Sequence, residues 1–175
     1  MTEIKVIYGS NTGETEAVAE EIGKQLSAEV LDVATVQPVD FLADLLILGT
    51  STWGLGAIQE DWENKINLLD LVDLKGRKVA IFGLGDQAGY PDTFVDGMGE
   101  LYDKVCELGA AVIGKTSAAG YTFSASTANK NGELCGLALD NVNESHMTAK
   151  RIKVWVEHLQ KEMGLVGKEM AGACK

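Results

Sequence analysis

The run Leu45-Leu46-Ile47-Leu48-Gly49 contains no polar residue. A strand with one wet face alternates apolar and polar residues, whereas a strand covered on both faces does not. Val79-Ala80-Ile81-Phe82-Gly83 and Ala110-Ala111-Val112-Ile113-Gly114 repeat the pattern, and Ile4-Lys5-Val6-Ile7-Tyr8-Gly9 opens the chain with a shorter version. Glu29-Val30-Leu31-Asp32-Val33 reads as a second, shorter strand at an edge, with Pro38 marking a break. Between these runs the apolar period changes. Val18, Ile22 and Leu26 form one helical stripe; Met98, Leu101, Val105 and Leu108 form another. A polar helix is expected over residues 60–69, and Ile152, Trp155, Val156, Leu159 and Met163 mark a last helix over residues 148–163. Strands alternating with helices predict an α/β, doubly wound, three-layer architecture with a parallel sheet and right-handed crossovers. The 175 residues suffice for one domain with a sizeable core, placed at residues 1–165, with 166–175 a loose tail.

Ligands of such sheets sit beyond the carboxyl ends of the strands. Three connections lie there: residues 10–15, 50–56 and 84–91. They converge if the first, third and fourth strands are neighbours. The first, Ser10-Asn11-Thr12-Gly13-Glu14-Thr15, joins a strand to a helix and has the makings of an anion site. The opening amides of a helix lack internal partners, and the helix dipole adds about half a positive charge there. Ser10, Thr12 and Thr15 supply hydroxyls, and Gly13 allows close backbone approach. The loop carries no Lys or Arg, so neutral groups would hold the anion, and a single ring-and-phosphate ligand suits it better than a nucleoside triphosphate. The alternative is that Ser10 or Thr12 only caps the helix.

Fifteen Lys+Arg against twenty-six Asp+Glu give a formal net charge of -11. That balance argues against nucleic acid and anionic membranes as partners and for basic patches on other proteins. No apolar run is long enough to span a bilayer, and no signal peptide is evident. Cys106, Cys135 and Cys174 have no C-x-x-C spacing, which points to a reducing, cytoplasmic setting without disulfides or a metal site. His146 and His158 are too isolated for a metal centre. From Lys115 to Leu139 the chain is rich in Ser, Thr, Ala, Asn and Gly, too long for a simple connection. It reads as an insertion, about residues 116–139.

Trp53 and Tyr90 stand on the second and third loops, within Thr52-Trp53-Gly54-Leu55-Gly56 and Gly85-Asp86-Gln87-Ala88-Gly89-Tyr90-Pro91. A flat fused ring can lie between two such side chains, each stacked pair contributing about 0.5–1.5 kcal/mol beyond burial. With these loops together, the chain resembles a flavodoxin of the long-chain kind over roughly residues 2–165. Residues 10–15 resemble that family's FMN phosphate loop, and Thr52-Trp53 and Asp86-Gln87-Ala88-Gly89-Tyr90 its two flavin-flanking loops. Asn131-Gly132 and Gly136-Leu137-Ala138-Leu139-Asp140 resemble the long-chain family's split fifth strand. The resemblance implies a flavodoxin-like five-stranded sheet in order 2-1-3-4-5 and one non-covalent FMN. It implies Ser10, Asn11, Thr12, Gly13, Glu14, Thr15, Ser51, Thr52, Trp53, Gly54, Leu55, Gly56, Leu84, Gly85, Asp86 and Tyr90 as cofactor-binding residues. It further implies a low-potential, one-electron carrier without substrate turnover of its own. Its partners would be donors of the flavodoxin or ferredoxin reductase type and low-potential acceptors, docked to a monomer.

Two positions depart from the family pattern. Ser51 stands where Pro often precedes Thr-Trp, and Gly54 where long-chain members often carry Asn. Gly54 would let its carbonyl turn toward a protonated flavin N5 through a positive-φ turn. Asp61, Glu63, Asp86, Asp92 and Asp96 lie on or near the loops around the expected ring. At an effective dielectric near 20, a charge about 10 Å away disfavours a further negative charge by about 1.7 kcal/mol before screening. The second electron is therefore expected at low potential.

Rival readings are weaker. Gly83-Leu84-Gly85 with Gly89 has G-x-G-x-x-x-G spacing rather than the dinucleotide fingerprint, and a Walker loop would need Gly-Lys-Ser/Thr. A signalling receiver would need an acidic cluster and a phosphoacceptor Asp where Ser10 and Thr50 stand. A flavin reductase on this fold would need a substrate pocket beside the ring and a proton donor such as Tyr or His on a loop; no His lies near the three loops.

Overall fold

The computed structural model describes residues 2–165. The expected tail at 166–175, and Cys174 with it, lies outside the described residues. In chain order the first half comprises β1 (Ile4–Tyr8), α1 (Glu14–Leu26), β2 (Glu29–Asp32), β3 (Leu45–Trp53), β4 (Ala57–Ile58) and α2 (Glu60–Lys65). The second half comprises β5 (Lys78–Leu84), α3 (Asp96–Glu107), β6 (Ala111–Val112), β7 (Thr116–Ser117), β8 (Asn129–Lys130), β9 (Glu133–Leu134), β10 (Leu137–Leu139) and α4 (Ser145–Glu162).

The main sheet runs β2-β1-β3-β5, and β6 and β10 share the far side of β5. All these pairings are parallel, with Ile4 opposite Leu45 and Leu45 opposite Lys78. This is the expected 2-1-3-4-5 order, with a fifth strand in two pieces. β6 pairs the start of β5 at Lys78–Val79, and β10 pairs its end at Phe82–Leu84. The chain between the pieces forms its own antiparallel sheet, β7-β9-β8.

Both faces of the central strands are buried, as the unalternating runs require. Leu46 and Leu48 of β3 pack with Ile7, Val79, Ile81, Trp62, Met98 and Leu101 on the side of α2 and α3. Leu45 and Ile47 pack with Val6, Ala80, Val18, Ile22, Trp155 and Leu159 on the side of α1 and α4. Each fully buried Leu or Ile contributes about 1.5–3 kcal/mol.

Local boundaries differ from the sequence reading in informative ways. β3 continues past Gly49 to Trp53, pairing Thr50 with Gly83 and Ser51 with Leu84, then reverses into β4. Residues 50–56 are therefore a strand end and hairpin rather than a plain loop. Polarity rises at Thr50, but β-branched and aromatic residues still suit a pleated surface. The helix expected over 60–69 is α2 followed by a 3-10 turn, Ile66–Leu71. The strand expected over 110–114 pairs only through Ala111 and Val112, although Ile113 N–H still reaches Val79 O at 2.9 Å; Gly114, at φ +79°, ends it.

Gly136, at the entry to β10, lies against backbone: a Cβ there would sit 1.9 Å from the Ile81 carbonyl oxygen. A strand backbone inside a sheet cannot give way as a side-chain tip can. Gly136→Ala is expected to destabilise the protein by about 1–3 kcal/mol in urea unfolding, with β10 displaced from β5.

Candidate functional site

The adjacency of β1, β3 and β5 brings the three strand-end connections together. In the first, Gly13 is the residue before α1, at φ +89°, and no side chain caps the helix. Ser10 Oγ instead accepts the Gly13 N–H at 3.0 Å, tightening the loop and leaving the first turn of α1 open to an anion. The simple capping reading of Ser10 and Thr12 is thereby set aside. Thr15 is buried at the start of the helix. Asn11 Oδ1 accepts from Gln59 Nε2 at 2.7 Å. Gln59 is fully buried; its Oε1 takes the Trp62 N–H at 3.2 Å and its own N–H reaches Thr50 Oγ1 at 3.4 Å. One amide side chain thus ties the first loop to the hairpin.

In the hairpin, Trp53 O accepts the Gly56 N–H at 3.1 Å, so Gly54 occupies the first central position of the turn. Its φ of +53° is what hairpin turns demand there and what glycine supplies. Ser51 Oγ accepts the Trp53 indole N–H at 2.7 Å, so the residue that departs from the family pattern orients the aromatic beside it. Thr52 Oγ1 accepts the Gly97 N–H at 2.9 Å and pins the hairpin to the start of α3.

In the third loop, Asp86 Oδ1 accepts the N–H groups of Ala88 and Gly89 at 3.2 and 2.7 Å, and its carbonyl accepts that of Tyr90 at 2.8 Å. Gln87 is buried. Its N–H donates to Asp140 Oδ2 at 3.1 Å and its amide to Glu144 Oε1 at 2.9 Å. Asp140, fully buried, also accepts the N–H groups of Val142 and Asn143 and the Asn143 side-chain amide. Burial alone would push its carboxyl up; the bonds from Asn143 and Gln87 outweigh burial and hold it below the usual carboxylate range.

A single cavity is lined by Thr12, Glu14, Thr15, Ser51, Thr52, Trp53, Gly54, Leu84, Gly85, Asp86 and Tyr90, all among the expected residues. Trp53 and Tyr90, 40% and 50% exposed, stand on this cavity together. Ser10, Asn11, Gly13, Leu55 and Gly56 do not line it. Ser10, Asn11 and Gly13 shape the first loop, Gly56 closes the hairpin turn, and Leu55 projects outward with 94% exposure. Of the acidic set, Asp86 borders the cavity, whereas Asp61, Glu63, Asp92 and Asp96 lie outside its lining.

Five lining residues were not anticipated: Thr93, Phe94, Val95, Asn141 and Val142. The last two follow β10 and obey the same strand-end rule as the other loops. The first three lead into α3 and left no chemical signal in the sequence. Val95 is buried at φ +48°, a strained conformation for a β-branched residue. Among the described residues no Lys, Arg or His lines the cavity, and the charged residues lining it are Glu14 and Asp86. It offers hydroxyls, an open helix end and two aromatics, a donor set suited to an uncharged grip on a phosphate joined to a flat ring.

A flavodoxin family model matches residues 6–155. The chain is 42% identical over 170 residues to a flavodoxin of Synechococcus elongatus, covering 94% of this chain and 100% of that one. It is 38% identical over 170 residues to flavodoxin 1 of Azotobacter vinelandii, covering 93% and 98%. Among solved structures, a Fusobacterium nucleatum flavodoxin bound to flavin mononucleotide superposes with a TM-score of 0.87 at 32% identity, covering 93% of this chain and 99% of that one.

Asp140 organises one wall of the cavity, and Asp140→Asn would turn an amide N–H₂ toward donors. The expected cost is about 1–3 kcal/mol at neutral pH. A carboxylate with a depressed pKa stabilises the fold above its unfolded pKa of about 4 and ceases to do so as pH falls through the folded value. Denaturant titrations should therefore show wild type and variant converging as pH drops below about 4.

Proposed function

This chain belongs to the flavodoxin family, and from that premise we propose how its own residues do the work. It is an electron-transfer flavoprotein that carries electrons, one at a time, between redox partner proteins on non-covalently bound FMN. The single observation that carries the residue-level reading is the shared cavity: the open start of α1, the Trp53 hairpin and the Tyr90 loop all border it.

In this reading the phosphate lies on the uncapped N-terminus of α1, held by backbone N–H groups and the hydroxyls of Thr12 and Thr15. Ser10, Asn11 and Gly13 act behind them by fixing the loop. Trp53 and Tyr90 flank the ring, with Ser51 holding the Trp53 indole. Bound FMN supplies one-electron chemistry on its ring. The protein's part is to hold the ring at an exposed edge, where Trp53 and Tyr90 leave it open to a partner. Glu14 and Asp86 keep negative charge at the cavity, which lowers the potential for the last electron. Gly54 already stands at positive φ, so a turn of its carbonyl toward the ring adds no strain at that residue.

Among the described residues no His or Lys lines the cavity, and Tyr90 is its one phenol. A net charge of -11 favours partners with basic docking patches, at rates that fall with salt. A monomer in the cytoplasm fits the free thiols of Cys106 and Cys135.

Titration of the apoprotein with FMN is expected to show one site, with riboflavin held at least about tenfold more weakly because the phosphate grip is missing. NADPH should reduce the loaded protein only when a reductase is added; steady NADPH oxidation without one would overturn the carrier reading.

Asp86→Asn keeps an acceptor for the Ala88 and Gly89 N–H groups and removes one charge. The potential of the last electron should become more positive, and an unchanged value in a potentiometric titration would exclude Asp86 from tuning it.

A further inference from the structure

Charge is unevenly distributed along this chain. Residues 1–114 hold seven Lys+Arg against twenty Asp+Glu, and residues 115–175 hold eight against six. Part of that second group gathers at one place. Between α4 and the inserted segment lies a groove of about 350 Å³ that shares no lining residue with the flavin cavity. Its apolar wall includes Leu137, Tyr121 and Trp155, with Val154 beside them 55% exposed. The polar tips of the two aromatics are already bonded. Tyr121 OH donates to Ala138 O at 2.6 Å, and Trp155 Nε1 to Gly114 O at 2.7 Å. What they present to the groove is ring surface.

The rim is cationic. Lys115, Lys150 and Arg151 all line the groove. Lys150 is exposed and has no ion-pair partner among the described residues, and the Lys115 ammonium rests only over the Tyr102 ring, 5.6 Å from its centroid. His158, also on the rim, is within 3.0 Å of Glu162. Arg151 lies over Tyr121, 4.4 Å from the ring centroid, and pairs with Glu144 Oε1 at 2.9 Å. An apolar floor under a cationic rim is complementary to one class of ligand.

We propose that this groove binds a small amphipathic organic anion, an aromatic or aliphatic carboxylate or sulfonate, and that Arg151 relays its presence to the Asp86–Tyr90 side of the flavin cavity. The relay is visible in the bonds. Glu144 Oε1 accepts the Gln87 Nε2 amide at 2.9 Å and forms an ion pair with Arg151, whose buried Nη1 lies 2.9 Å away without making a hydrogen bond. Gln87 is buried, adjoins Asp86 and accepts the Thr122 N–H at 2.6 Å. An anion that engages Arg151 competes with Glu144, and the Glu144–Gln87 bond must adjust. The binding half stands on the groove alone; the relay half rests on the flavin reading.

The test uses ¹⁵N-labelled, FMN-loaded protein titrated at low salt with 8-anilinonaphthalene-1-sulfonate. Saturable shifts are expected at the Lys150 and Val154 amides and the Trp155 indole. Lys115 and Lys150 are both exposed, and the Lys115→Glu, Lys150→Glu double variant should bind at least about tenfold more weakly. Glu144→Gln should bind more tightly, because Arg151 is released. The Gln87 side-chain amide should shift with the same dissociation constant as Trp155 in the wild type. Absence of saturation, or a double variant that binds like the wild type, overturns the site; an unmoved Gln87 at saturation overturns the relay. The same titration without FMN separates the two readings. A protein that refuses FMN but keeps the groove shifts fails only the flavin assignment.

Discussion

The carbonyl of Gly49 accepts two donors, the Gly9 N–H at 3.0 Å and the Trp62 indole at 2.7 Å. That convergence fixes where the first strand ends relative to the third and where α2 packs against both. It requires two residues without side chains. A Cβ on Gly49 would lie 1.9 Å from the Phe82 ring, and one on Gly9 would lie 2.1 Å from Gln59 Oε1. With both positions bare, β1, β3 and β5 finish close together and Gln59 can reach from the hairpin to Asn11. The loops beyond these ends inherit their relative positions from this packing.

Among the described residues, the site so formed has no cation of its own. In the proposed placement, a phosphate brought to a chain of net charge -11 would meet the open first turn of α1, where aligned peptide dipoles and unpaired N–H groups supply about half a positive charge. Leaving out Lys and Arg has an electrostatic consequence: among the described residues, no neighbour lining the same cavity neutralises Glu14 or Asp86. On the proposed reading each would oppose further negative charge on the ring. On the proposed reading, the grip on the phosphate and the low potential of the carrier follow from one choice of residue types.

Much of this was legible because it depends on patterns of burial. The unalternating runs at residues 45–49 and 79–83 predicted a sheet covered on both faces, and strand-end geometry then located three connections. What escaped was set by contacts between distant segments. Polarity at Thr50, Ser51 and Thr52 hid the continuation of β3, since pairing with β5 and β4 rather than local hydrophobicity keeps it extended. Asn141 and Val142 were within reach of the strand-end rule, because Leu137–Leu139 was recognised as strand-like. Thr93, Phe94 and Val95 were not, since their place on the cavity depends on a backbone conformation that sequence does not announce.

That conformation explains a physical use for the inserted segment. A β-branched residue in the left-handed region costs about 1–2 kcal/mol, and Val95 persists there only because its neighbours are held on both sides. Phe94 stacks on Phe123 with centroids 5.2 Å apart and lies 5.7 Å from Tyr121. Its N–H donates to Ala125 O at 3.3 Å, and Asp96 Oδ1 accepts the Thr127 N–H at 2.9 Å. Four of those partners belong to the stretch between β7 and β8, and Tyr121 also bonds β10 through Ala138 O. The segment that splits the edge strand thus braces the entry to α3 from outside while its far end completes the sheet. Removing it would leave Val95 free to relax to negative φ and take Phe94 away from the cavity wall, so the insertion and the third wall of the site form one structural unit.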